Sequence, residues 1–257
     1  MGFALFDDKQ CRLTVLAKDA VGYRNLVKLV SKAHLEGFYY KPRVDRELLE
    51  QHAPGLVVLS GCPSGEVPSL IAQGRLEEAG ATARGYREAF GDYYLELMEH
   101  GGVDGLPAIN SGLMELHRET GIPVVATNDS HYILQEHATL QDILICIHTN
   151  TNVNDEKRLK MDEDSYYLKS PQEMSELFPE YPEAIANTQR IADSCDVRMN
   201  FERIRLPEVE TPTGTTPQTY LEQLCRDGLA RRRPGAPKRY VERLDYELQV
   251  IEHTQFA

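Results

Sequence analysis

Cysteine is scarce: Cys11, Cys62, Cys146, Cys195 and Cys225 are an odd number, widely spaced and never in a CxxC pair. That excludes a dense disulfide scaffold and fits a reducing compartment. No apolar run approaches the length that spans a bilayer. The opening MGFALFDDKQ lacks a basic region followed by a sustained apolar stretch, which argues against a secretory signal. The chain therefore reads as cytoplasmic, with no membrane partner. Walker A, GxGxxG and GxSxG patterns are missing, so nucleotide-cofactor and serine-hydrolase chemistry has no support. HExxH and HxH are missing too, which leaves a two-metal hydrolase short of ligands. Positive charge is also in short supply: 28 Lys and Arg face 40 Asp and Glu, a formal charge of −12. Such a surface argues against coating nucleic acid or anionic membrane nonspecifically, though not against a local basic groove.

What is present is ordinary globular composition, 41% hydrophobic and 26% charged over 257 residues. Wholesale disorder, collagen and coiled coil are excluded, and the length suits one large domain or two modest ones. Charge is uneven. Residues 1–46 carry a net +4, residues 47–200 a net −16, and residues 201–257 are neutral. The two ends are where an anionic partner would be met.

Strand and helix patterns alternate through the first 150 residues. LTVLA (13–17) reads as a strand and 20–35 as a helix; GLVVLSG (55–61) reads as a buried parallel strand. A helical region at 66–89, broken near Gly74 or Gly80, precedes the strand DYYLEL (92–97). A helix at 108–120 ended by Gly121 precedes the strand IPVVAT (122–127), and an apolar-periodic helix spans 134–147. This order predicts a parallel sheet with crossover helices. Beyond it come a polar connection, a short strand YYLKS (166–170), a proline-opened helix PQEMSELF and a helix at 182–195. The Pro- and Thr-rich stretch 206–217 reads as a linker before two helices, 219–232 and 238–253.

Polar residues just past parallel strands lie in the functional crevice of an α/β fold. Asp129 and His131, in ATNDSHY after the strand 122–127, are close enough in sequence to converge on one metal ion or phosphate. The alternative has Asp129 capping the next helix and His131 packing or donating to the backbone. Cys62, in LSGC, follows another strand and would sit at the same end. A catalytic metal takes at least three protein ligands plus an open position; one cysteine, one aspartate and one histidine are not a full site, and an ordinary buried thiol is the other reading of Cys62. Glu96 and His100 are candidates for the same rim, with surface or packing roles as the alternative. Lys41 and Arg43 in FYYKPR, and Arg231, Arg232 and Arg233 beside Lys238 and Arg239, are candidate phosphate contacts; solvated loops and helix ends explain them as simply.

With these residues in view, LTVLAKDAVGYRNLVKLVSKAHLEGFYYKPRVDRELLEQHAPGLVVLSGCPSGEVP resembles the PHP domain of bacterial DNA polymerase III alpha subunits. So do YYLELMEHGG, IPVVATNDSHYI, LICIHTN, YYLKSPQEMSELF, EAIANTQRIADSC and YVERLDYELQVIEHTQF. The resemblance implies an α/β fold: a partial PHP-type (β/α)7 distorted TIM-like barrel over residues 1–205, lacking its first strands. A linker (206–217) and a helical segment (218–257) leading into the polymerase palm would follow. It implies Cys62, Asp129 and His131 as residual metal ligands, for zinc, manganese or magnesium, with magnesium serving the intact polymerase. Arg12 stands where many members place a ligand histidine, a departure that weakens the site. The family's HxHxxxS-like, TDH-type and GxE-type segments do not occur here, and neither do the catalytic aspartates of the palm. The implied function is a segment of a replicative polymerase, with no catalytic residues of its own, inactive alone and partnered by the remaining alpha segments, replicase subunits and DNA. The alternatives are a PHP-class phosphoesterase or 3′–5′ exonuclease, and a structural module for a polymerase or proofreading partner. A barrel lacking its first strands also predicts unpaired sheet edges, exposed apolar helix faces and self-association.

Overall fold

The computed structural model describes residues 2–6, 9–161, 163–199 and 209–256, and the chain divides into two compact units, Met1–Arg198 and Met199–Ala257. In the first unit, β1 (Gly2–Phe6), β2 (Lys9–Ala17), β3 (Arg43–Val44), β4 (Leu56–Leu59), β5 (Tyr93–Met98) and β6 (Val124–Thr127) form one sheet, in the order β3-β1-β2-β4-β5-β6. Around it are α1 (Ala20–Leu35), α2 (Arg46–Gln51), α3 (Glu66–Ala72), α4 (Leu76–Phe90), α5 (Leu106–Thr120), α6 (Ala138–Thr149), α7 (Pro171–Leu177) and α8 (Pro182–Ser194).

The sheet is mixed, which corrects the expectation of an all-parallel one. β2 is antiparallel to both neighbours, β1 and β4, whereas β1–β3, β4–β5 and β5–β6 pair in parallel. Alternation of strand and helix patterns reports crossovers, and β1–β2 is not one: these adjacent strands pair directly. β1, β3 and α2 carry too few residues of clear period for the sequence pattern to mark them. Strands β3 and β6 end the sheet, so among the described residues it is an open α/β sheet and not a closed barrel.

Strand alternation sends successive side chains to opposite faces. Leu56 and Val58 of β4, Tyr93, Leu95 and Leu97 of β5, and Val124 and Ala126 of β6 join the main core with Val67, Ala83, Tyr86, Leu113 and Leu116. Val57, Leu59 and Val125 point the other way, against Ile191 of α8. All four residues of β4 are buried, as the β-branched run at 55–61 led us to expect. Asn187 of α8 is buried and donates Nδ2–H to the Val124 carbonyl at 2.7 Å, which locks the helix to the outermost strand.

The helix breaks have local causes. Asp19 caps α1, accepting from the Val21 and Gly22 amides at 2.8 and 2.9 Å, an arrangement that stabilises by about 1 kcal/mol. Gly22 has to be glycine for packing: a Cβ there would lie 1.7 Å from the Gly55 carbonyl oxygen. The break between α3 and α4 is at Gly74, in the left-handed region with φ +73°, and not at Gly80, which is buried within α4 beside Leu116. Gly121 ends α5 with φ +68°. A 3-10 turn at 135–137 precedes α6. A capping box of Ser170 and Glu173 opens α7. YYLKS forms no strand; it makes a single parallel bridge, Tyr132 to Tyr167, because the polar loop on either side supplies no run of alternating residues to extend it.

The second unit contains α9 (Pro217–Arg232) and α10 (Lys238–Thr254), joined by a tight turn with Gly235 at φ +69°. The segment read as a linker lies partly outside the described residues, at 206–208; residues 209–216 form neither helix nor strand, and Thr216 caps α9. No helix among the described residues is long and apolar enough to cross a membrane.

Candidate functional site

The reversed direction of β2 shapes the carboxyl end of the sheet. Thr14 pairs with Leu59, so the second half of β2 runs back along β4 from that strand's carboxyl end. The Arg12 amide donates to the Ser64 carbonyl at 3.1 Å, which places β2 against the loop that carries Cys62. Gly61, with φ +86°, makes the turn out of β4; a side chain there would collide with the Arg12 carbonyl.

At the centre of this end is Glu96 of β5, 5% exposed. Its Oε2 accepts from the Gly61 amide at 3.0 Å and from the Thr14 hydroxyl at 3.3 Å; its Oε1 accepts from the Thr127 hydroxyl at 2.8 Å. Its own amide donates to Ser60 Oγ at 2.8 Å. Burial pushes the carboxyl pKa up, the three donors oppose the shift, and the charge of Asp129 adds to it. One carboxylate thus holds the residue before Cys62 and the residue two before Asp129. Rim, surface and packing roles are open to Glu96 from the sequence; in the structure it is buried and cross-links the candidate arms.

Asp129 and His131 face each other, Oδ2 to Nε2 at 3.5 Å, both partly exposed. Asp129 is in the left-handed region at φ +40°, and it does not cap α6, whose N-cap is His137. The loop is sewn to residues 165–168: the His131 amide donates to the Tyr166 carbonyl at 2.8 Å, and the buried Asn128 donates to the Ser165 and Tyr167 carbonyls at 3.2 and 2.6 Å. Lys169 Nζ donates to Asn128 Oδ1 at 3.0 Å.

His100 is buried, its ring stacked on Tyr166 at 4.3 Å, and Tyr166 in turn meets His131 edge-on at 5.9 Å. His100 Nδ1 is 2.8 Å from Ser165 Oγ and 3.4 Å from Glu163 Oε1, while its Nε2 is buried without a hydrogen-bond partner. Burial lowers the imidazole pKa, and Glu163 partly offsets the shift. Asn128, Glu163, Ser165, Tyr166 and Lys169 did not emerge from the sequence reading. Asn128, inside the ATNDSHY block, and Tyr166 and Lys169, inside YYLKS, carried a signal; Glu163 and Ser165 reach the site from a polar loop of no regular period.

Arg43 is in β3, at the opposite edge of the sheet from β6, with its guanidinium over the Tyr39 ring at 4.8 Å; Lys41 bridges to Tyr39. Arg231, Arg232 and Arg233 belong to the second unit. A metal centre takes three or more converging ligands. Asp129 and His131 supply two within reach of each other, but among the described residues no group of three His, Cys, Asp or Glu side chains is arranged to hold an ion.

Residues 1–100 match the PHP domain family. The chain is 47% identical to the DNA polymerase III subunit alpha of Treponema pallidum over 95% of its own length and 21% of that protein's. It is 42% identical to the subunit of the same name from Thermus aquaticus, over 86% of the chain and 19% of the relative. With the Mycobacterium tuberculosis subunit it shares 39% identity over 93% of the chain and 21% of the relative. The chain spans about a fifth of the length of the curated relatives it matches. Across that span it matches the PHP-domain region of the bacterial DNA polymerase III alpha subunit.

Proposed function

We propose that this chain acts as the PHP-region segment of a replicative DNA polymerase III alpha subunit. The observation that carries this reading is the 47% identity sustained over 95% of the chain. DNA-directed DNA synthesis is then a property of the whole subunit, working with replicase partners on DNA. In this reading residues 1–205 are part of a distorted barrel, residues 218–257 lead toward the palm, and the isolated chain does not polymerise. The apolar stripe on α6 (Leu140, Ile143, Leu144 and Ile147, each about half exposed or more) supports a docking role within the larger subunit. The test is pull-down of the chain against the remaining segments of an alpha subunit, with primer extension by the reconstituted mixture. Stable association with extension dependent on the chain is expected; no association and no dependence would overturn the reading.

A second reading, a PHP-class metal-dependent phosphoesterase or 3′–5′ exonuclease, is favoured by the Asp129–His131 pair at 3.5 Å. Cys62, Asp129 and His131 are its proposed ligands, for zinc, manganese or magnesium. Elemental analysis of the purified chain, beside hydrolysis by wild type and Asp129→Asn, tests it. Stoichiometric metal and hydrolysis that the substitution abolishes would establish this reading.

A further inference from the structure

We propose that the turn between α9 and α10 is a phosphate-binding surface for duplex DNA, an inference that rests on the polymerase reading and goes beyond it by naming the contact. Between Asp227 and Glu242 the chain carries Arg231, Arg232, Arg233, Lys238 and Arg239 and no carboxylate. All five cations are exposed. The turn brings two of them together in space: the guanidiniums of Arg233, at the end of α9, and Arg239, at the start of α10, both lie over the Tyr240 ring, at 4.9 and 5.2 Å.

The carboxylates of the hairpin do not neutralise this tip. Glu222 and Asp245 are engaged by Arg226, and Glu247 by Arg243. Lys238 reaches Glu242 at 3.3 Å, but Arg231, Arg232, Arg233 and Arg239 make no ion pair among the described residues. Four unpaired guanidiniums at one end of a hairpin repel one another, and a polyanion relieves that repulsion. α10 adds to the field, because its first amides lack a side-chain cap and its N-terminus presents the positive end of a 17-residue helix.

The chemistry favours phosphodiester over an acidic protein. Four of the five cations are arginine, whose planar fork matches phosphate oxygens in pairs. Two of those forks are held beside one aromatic ring, that of Tyr240, by cation–π attraction. The surface is local: the chain as a whole carries −12, so binding depends on this tip outweighing a repulsive background.

The test uses the full chain and a fluorescently labelled 20-base-pair duplex, with anisotropy read across a potassium chloride series. Each engaged phosphate contributes about −0.9 to the slope of log K against log salt, so five contacts give about −4.5. The triple variant Arg231→Gln/Arg232→Gln/Arg233→Gln should lose about 2.7 of that slope, with an unchanged circular dichroism spectrum. The matching Arg→Lys triple should keep the slope while weakening binding several-fold, which identifies the fork and not the charge alone. No binding at low salt, an unchanged slope in the Gln triple, or polyglutamate bound as tightly as DNA would overturn the proposal. Association with the remaining alpha segments is a separate measurement, so a failure here and a failure of the polymerase reading are distinguishable.

Discussion

Glu96 offers the sharpest test of how this sheet is held together. Replacing it with alanine removes the acceptor for the buried Gly61 amide and for the Thr14 and Thr127 hydroxyls. The hydroxyls, only partly buried, can rotate toward water, but the amide cannot. An orphaned buried donor costs about 1–3 kcal/mol, and the space left by the side chain adds about 1 kcal/mol more. Glu96→Ala should therefore destabilise by about 2–4 kcal/mol at mildly acidic pH, read from urea unfolding midpoints at constant m. The effect should depend on pH in a defined direction. The folded-state pKa of Glu96 is raised by burial, so the folded protein holds this proton more tightly than the unfolded chain. Its contribution is greatest below the ordinary carboxylate range and declines as pH rises through the raised value. The cost of Glu96→Ala should thus shrink between pH 4.5 and 8, when wild type and variant are compared at each pH. Glu96→Gln, which keeps one acceptor oxygen and carries no charge, should cost less than alanine throughout and gain on wild type as pH rises. A penalty for Glu96→Ala that grows with pH would refute the assignment of burial as the dominant influence, and a penalty below about 0.5 kcal/mol would refute the cross-link itself.

Other substitutions probe separate joints. Gly22→Ala drives a methyl into the Gly55 carbonyl and should lose about 3 kcal/mol in urea unfolding. Asn187→Ala leaves the Val124 carbonyl without its 2.7 Å donor and should cost about 1–3 kcal/mol, with faster amide exchange along β6. Ser170→Ala breaks the capping box of α7 and should cost about 1 kcal/mol by the same assay. The paired change Ile143→Gln/Ile147→Gln on the exposed stripe of α6 should reduce self-association in sedimentation velocity without lowering the unfolding midpoint.

Much of the framework was legible in the residue pattern. Helix α1 falls where the apolar spacing of Leu26, Val27, Val30 and Ala33 places it, and β4, β5 and β6 fall on the three β-branched or aromatic runs. Gly121 closes its helix as glycine in the left-handed region does. The candidate loop was legible in part: strand followed by polar ligand-type residues marks the carboxyl end of a sheet, and Asp129 and His131 do meet there. The polar stretch before YYLKS gave no hint that Glu163 and Ser165 return to His100, nor did YYLKS that Tyr166 stacks on it, because contacts across 65 residues leave no period behind.

By itself, then, the sequence determined the identity and order of the main elements, the acidity of the middle segment, the basic cluster at the α9–α10 turn, and the resemblance to polymerase alpha subunits that the comparisons bear out. Those properties reside in local spacing and in motifs read along the chain. Only the tertiary structure decided that β2 runs against its neighbours, that Arg12 therefore meets the Cys62 loop, and that Glu96 ties β2, β4 and β6 together from within β5. Strand direction and the burial of one carboxylate depend on which distant residues share a desolvated space, and that follows from packing the whole sheet.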